Sequence, residues 1–153
     1  MKVIFLDLDG VANSNKFITH LRQTNSPIRY KPDQWIDPVA VERLNRITDT
    51  TKANIVISSS WRLDFPGTTG ITNHLKPFGI TGKIIGVTKY LGADRGSEIQ
   101  RYLDENKDKN IDKFIILDDN SDMEDLIDYL IQTSFEDGLL DEHVELAIKL
   151  LND

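Results

Sequence analysis

Apolar residues in this chain fall into two patterns that take turns, short continuous runs and stripes spaced three or four apart, and the turn-taking predicts strands alternating with helices. The first run, Val3 to Leu8 with Asp7 inside it, is rich in β-prone residues and has no polar alternation, which predicts a strand buried on both faces. Residues 11–36 are polar and irregular, with Pro27 and Pro32, and predict a long loop or small insertion beside the end of that strand. Asp37-Pro38 supplies a helix cap and a proline for the first helical position, and Val41, Leu44 and Ile47 continue at helical spacing. Ile55-Val56-Ile57 predicts a second buried strand running into Ser58-Ser59-Ser60-Trp61-Arg62, residues 71–76 a short helix, and residues 83–87 a third strand. Ser97, with Gln100 three residues later, predicts a capped helix start carrying Ile99, Tyr102 and Leu103 on one face. Phe114 to Leu117 predicts a fourth strand ending at Asp118-Asp119. Met123, Leu126, Ile127 and Leu130 fit a helix while 129–133 fits a strand, and a short helix followed by a fifth strand reconciles the two. Val144, Ala147, Ile148 and Leu151 after Gly138 predict a closing helix.

Such alternation, with near-continuous apolar strands, predicts an α/β fold: a doubly wound, Rossmann-like three-layer domain with a five-stranded, mostly parallel sheet. The 153 residues match one domain, 1–153, with the small insertion at about 11–36 and no separate cap. Composition changes this picture little, since 39% hydrophobic and 28% charged residues are ordinary for a globular chain. The absence of cysteine matters more: it excludes disulfides, thiolate metal sites and a cysteine nucleophile, leaving oxygen and nitrogen groups for any chemistry. No apolar run approaches the ~18 residues of a membrane span, so the expectation is a cytoplasmic protein without a membrane partner. A formal charge of −7 disfavours non-specific attraction to nucleic acid but leaves room for a local phosphate site.

Ligands of doubly wound sheets bind beyond the carboxyl ends of the strands, and three predicted strands end there in polar groups. Asp7 and Asp9 stand one residue apart at the first end, and carboxylates projecting together repel unless a proton or a divalent cation intervenes. Ser58 stands at the second end, and Asp118, Asp119 and Asp122 cluster at the fourth.

The ordered set Asp7-Leu8-Asp9-Gly10-Val11, Ser58, Arg95 and Asp118-Asp119-Asn120-Ser121-Asp122 resembles the haloacid dehalogenase-like (HAD) phosphohydrolases over nearly the whole chain. Within that superfamily, Ser58-Ser59-Ser60-Trp61-Arg62, Arg95-Gly96-Ser97-Glu98-Ile99 and Gly138-Leu139 resemble the small HAD domains associated with RNA-repair proteins. The resemblance implies a Mg²⁺-dependent phosphomonoester hydrolase in which Asp7 is the nucleophile and forms an aspartyl-phosphate, and Asp9 is the general acid and base. It implies that Ser58 and Arg95 bind the phosphoryl oxygens, where the superfamily more often has lysine in place of Arg95. It also implies that Asp7, the Asp9 carbonyl and Asp118 ligate the metal, with Asp119 and Asp122 as ligands or supports. Because Asp9 is present, halide release is disfavoured.

Other candidates come from position alone. Ser59 takes the phosphate role if the second strand runs one residue longer. Asn13 is placed to touch substrate or order water, or to shape a turn. Arg62 is placed to hold a second phosphate or stack on a base, or to pair with an acid. His20, His74 and His143 have no ligand-like spacing, and Trp35 is expected in the core. The expected substrate is a phosphorylated one, a nucleotide or a nucleic-acid end, with an uncovered site admitting large molecules. The competing readings are a phosphatase of small metabolites, a phosphate- or metal-binding module without turnover, and a response-regulator-like domain, whose acceptor aspartate normally follows the third strand. The sequence leaves the oligomeric state open.

Overall fold

The structure, a computed structural model, describes residues 1–24 and 35–153, so the middle of the expected 11–36 insertion, with Pro27 and Pro32, lies outside the described residues. Five strands, β1 (Lys2–Leu6), β2 (Asn54–Ile57), β3 (Ile84–Val87), β4 (Lys113–Asp118) and β5 (Leu130–Gln132), form one sheet in the order β3-β2-β1-β4-β5, every neighbouring pair parallel. The predicted α/β architecture is therefore present, with all rather than most strands parallel. The order also differs from the 2-1-3-4-5 order of the response-regulator alternative.

Side chains alternate between the two faces of β1, and each face has its own core. Ile4 and Leu6 join Ile55, Ile57, Ile115 and Leu117 under α2 (Pro38–Thr51), α3 (Gly67–Leu75) and α5 (Asp141–Asn152). Val3 and Phe5 join Val56 and Ile116 under α4 (Arg95–Glu105), which contributes Ile99 and Tyr102, and under the 3₁₀ turn Glu124–Tyr129, which contributes Leu126. As expected, α2 begins with Pro38 in its first turn, and the Asp37 carboxylate accepts from the Val39 amide at 2.9 Å.

Three sequence expectations shift. The stretch read as irregular after β1 contains a helix, α1 (Asn15–Gln23), capped by the Ser14 hydroxyl and burying only Ile18 and Leu21. So thin an apolar stripe among polar residues hides the helical period. Helix α4 starts two residues before Ser97, because the Asp94 carboxylate is the cap and accepts from the Ser97 amide at 2.8 Å. Strand β1 ends at Leu6 rather than Leu8, after which the chain turns through Gly10 at φ +79°.

The turn after β1 is held from the far side of the sheet. The Thr133 hydroxyl donates to the Gly10 carbonyl at 2.5 Å, the Leu139 amide to the Val11 carbonyl at 3.0 Å, and the Asn15 amide to the Phe135 carbonyl at 2.7 Å. Gly138, at φ +70°, packs where a Cβ would lie 2.9 Å from the Asn13 carbonyl oxygen.

Candidate active site

Register alone brings three of the predicted residues together. Leu6 pairs with Ile57 on one side and Leu117 on the other, so Asp7, Ser58 and Asp118 follow in one row across the sheet edge. The ladder persists one step further, with the Asp7 amide donating to Leu117 at 2.9 Å and the Ser58 amide to Leu6 at 3.0 Å. Counting in twos from Phe5, Val56 and Ile116 puts all three side chains on the face that carries α4. The site lies at the central strands, where the chain changes direction across the sheet.

Asp7, Asp118 and Asp119 each present a carboxylate oxygen, and these lie within 4.8 Å of one another. Gly10 makes this possible, since a Cβ there would come 2.5 Å from Asp119 Cγ. Burial, and then the charge of Asp118, push the Asp7 carboxyl well above its usual range, against the pull of Arg95. Burial likewise pushes Asp118 up to about 6, opposed by the Asn120 amide that donates to its Oδ1 at 2.9 Å and by Arg95. Its other oxygen, Oδ2, is buried without a hydrogen-bond partner. Crowded, desolvated carboxylates with an unused oxygen suit a hard divalent cation, which takes oxygen ligands and offsets their repulsion.

Arg95 enters from the first turn of α4, its Nε 3.7 Å from Asp118 Oδ2. The loop after β4 fixes that helix start: the Asp122 carboxylate accepts from the Arg95 amide at 3.1 Å and the Asp122 carbonyl from the Gly96 amide at 3.0 Å. A Cβ at Gly96 would overlap the Met123 carbonyl, so only glycine lets helix and loop approach this closely. Asp122 is thus occupied with α4, and among the described residues it is not in the carboxylate group formed by Asp7, Asp118 and Asp119. Four buried donors at or next to this row lack hydrogen-bond partners, Nη1 of Arg95, Nε of Arg62 and the hydroxyls of Ser58 and Thr88. Unsatisfied buried donors are rare in folded proteins, and here they stand beside three carboxylates, as an anion bound next to a cation requires.

A family model described as the HAD domain in Swiss Army Knife RNA repair proteins matches residues 3–144. The chain belongs to this family. The resemblance read from the motifs is thereby borne out, and the family points to a phosphohydrolase of the HAD superfamily. No curated protein and no solved structure matches the chain.

In this HAD domain Asp9 does not project alongside Asp7, as expected from an unbroken strand. The turn that begins after Leu6 carries its carboxylate toward Trp61, whose indole N–H donates to Oδ2 at 3.0 Å, and toward Asn13, whose amide donates to Oδ1 at 2.9 Å. Asn13 also donates to the Trp35 carbonyl and accepts from the Gly10 amide, so its amide group is committed to shaping the turn. Ser59 accepts from the Trp61 amide at 3.2 Å and caps the 3₁₀ turn Ser60–Leu63, leaving Ser58 as the serine in line with Asp7. Arg62 is turned inward: it donates to the Ser58 and Ser59 carbonyls at 2.9 and 2.6 Å and pairs with Glu98 at 2.5 Å, with 5% and 3% of the two side chains exposed. Of its readings, acid pairing is the one found, but in the interior.

Several further residues shape the site of this HAD domain. Glu98 sits on the buried face of α4 one residue before Ile99, a position where a charge implies a partner, and that signal was available. Thr88, next to Ser58 beyond the end of β3, has a buried hydroxyl without a hydrogen-bond partner, and nothing in its local sequence marks it. Trp61 gave no signal of reaching Asp9, because the contact joins residues 52 apart. No helix among the described residues is long and apolar enough to cross a membrane.

Proposed function

We propose that this protein is a Mg²⁺-dependent phosphomonoester hydrolase that works through an aspartyl-phosphate on Asp7, with a terminal phosphate of a nucleotide or polynucleotide as its substrate. The observation that carries the reading is the cluster of three carboxylates beside buried donors that lack partners, Ser58 and Arg95 among them, a pattern complementary to a cation and a phosphoryl group together. Asp7, Asp118 and Asp119 would hold the ion, with the Asp9 carbonyl as a further oxygen ligand and Asp122 as the support of the loop. When bound, the ion offsets the carboxylate charge and that of the phosphoryl oxygens.

The remaining work falls to the chain's own groups. The Asp7 carboxylate oxygen attacks phosphorus, and the bond from phosphorus to the leaving oxygen breaks. Asp9 gives its proton to that oxygen, so an alcohol departs, and Asn13 and Trp61 hold the carboxyl in place for the transfer. Asp9 then takes a proton from water, whose oxygen attacks the same phosphorus, releasing inorganic phosphate and restoring Asp7. Ser58 and Arg95 donate to the phosphoryl oxygens throughout, with greatest effect where charge builds in the transition state. The family's description, which names RNA repair, supports a nucleic-acid end over a sugar phosphate.

Hydrolysis of an aryl phosphate in Mg²⁺ tests the mechanism. Asp7→Asn should lower kcat by at least about a thousandfold with the fold intact by circular dichroism. Unchanged turnover would remove Asp7 as nucleophile.

A further inference from the structure

A cleft of about 520 Å³ opens beside Asp9, walled by Trp35, Trp61, Phe65 and Phe135 with Ile18 and Asp64 completing the lining. That volume falls within the roughly 300–1,000 Å³ of small-molecule sites. We propose that this cleft is the subsite for the base of the nucleoside that carries the scissile phosphate, so that the enzyme takes an unpaired terminal nucleotide.

Position comes first, and it rests on the role assigned above to Asp9. The group that protonates the leaving oxygen must face the leaving group, and Asp9 is the one member of the catalytic set that lines the cleft. Whatever lies there belongs to the alcohol side of the ester.

Shape and chemistry name the occupant. Four aromatic walls offer flat apolar faces, which suit a planar ring and give a flexible sugar or polyol little to bond. Three of the walls are held by contacts of their own. The Trp61 indole is fixed by its bond to Asp9, and Phe65 stacks on His74 with centroids 3.7 Å apart and planes within 10°. Trp61 meets the same histidine at 5.8 Å, and the Trp35 ring lies under the Arg22 guanidinium at 5.2 Å. Phe135 remains 46% exposed, apolar surface that a stacked base would cover. Among the described residues the lining has no lysine or arginine, and its Asp64 carboxylate suits a base bearing an amino group. A base stacked between these walls cannot be stacked in a duplex, hence the unpaired end.

The only two tryptophans of the chain, Trp35 and Trp61, both line the cleft, so intrinsic fluorescence reads its occupancy directly. Adenosine, which has no phosphate, should quench that fluorescence in a saturable way without Mg²⁺, and ribose should not. Phe135→Ala should weaken adenosine binding by about tenfold. The same variant should lower the ratio of kcat/KM for adenosine 3′-monophosphate over glycerol phosphate by a similar factor. No quenching by adenosine, or a ratio that Phe135→Ala does not move, would overturn the subsite. Adenosine quenching in a protein that hydrolyses no phosphomonoester would uphold the cleft and remove the proposed activity. Hydrolysis of glycerol phosphate and nucleotides with equal efficiency would uphold the activity and remove the cleft. An aryl phosphate turned over well beside nucleotides no better than ribose 5-phosphate would assign the walls to a ring other than a nucleobase and overturn the proposal.

Discussion

Asp118 has either to hold a proton or to share its charge with a cation. Its carboxyl is raised to about 6 in the folded chain by burial, against the ordinary 3.8 when unfolded. Between those values the folded state binds more protons than the unfolded state, so stability without metal falls as pH rises through this window and stays reduced above it. Asp118→Asn removes the charge while keeping an oxygen for the Asn120 amide. The variant should melt a few degrees above the parent at pH 7.5 in a chelator, a gain of the order of 1–3 kcal/mol, and the gap should shrink as pH falls through the window and close only below 3.8. The parent alone should gain stability on adding Mg²⁺, increasingly so as pH rises past 6. A thermal melt in which the variant is no more stable than the parent at pH 7.5 would contradict this. The acids at 7, 118 and 119 were legible in the sequence because like charges so close together demand an explanation. The destination of Asp9 was not, because it depends on where β1 stops and on an indole contributed from far along the chain.

Among the elements, α4 and the serine turn are locked to each other by one interior ion pair. Glu98 accepts from Arg62 on one side and from the Leu91 amide at 3.0 Å on the other, so one carboxylate ties β2's exit to the approach to α4. Truncating only Glu98 leaves a guanidinium buried without its counter-charge, a loss of about 3–5 kcal/mol. Replacing both partners, Arg62→Met with Glu98→Leu, should recover much of that loss while loosening the carbonyls of Ser58 and Ser59. Urea unfolding of the single and double variants checks this, and equal losses in the two would contradict it. The strands and α2 were legible from apolar runs and a proline. Helix α1 was not, since packing against the turn Ser134–Gly138, rather than its own period, holds it. The start of α4 was misread because Asp94 and Ser97 are both good capping residues and only the fold chooses between them.

For the molecule as a whole, a charge of −7 bears on how the proposed nucleic-acid substrate would be met. A long basic track would release counterions from many phosphates and make affinity rise with length and fall steeply with salt. With this net charge, recognition should be confined to the terminal nucleotide. The KM for a 3′-phosphorylated trinucleotide and for a 20-residue oligonucleotide of the same end should agree within about threefold, with a logarithmic salt slope near −1. A KM that drops tenfold or more with length would point to an extended binding track. The whole-molecule fold was the most legible level, because continuous apolar strands alternating with helices admit few arrangements besides a parallel sheet. The strand order was less so, as it depends on long-range pairing that no local pattern encodes.

The double grip of Asp122 on the first turn of α4 gives one short loop two duties. The segment that carries the carboxylates of Asp118 and Asp119 also sets the height of the guanidinium above the row, so the two cannot be adjusted separately. A lengthened or shortened loop at 119–123 would move the carboxylate cluster and the guanidinium in the same stroke, and substitutions that retune one must be accepted by the other.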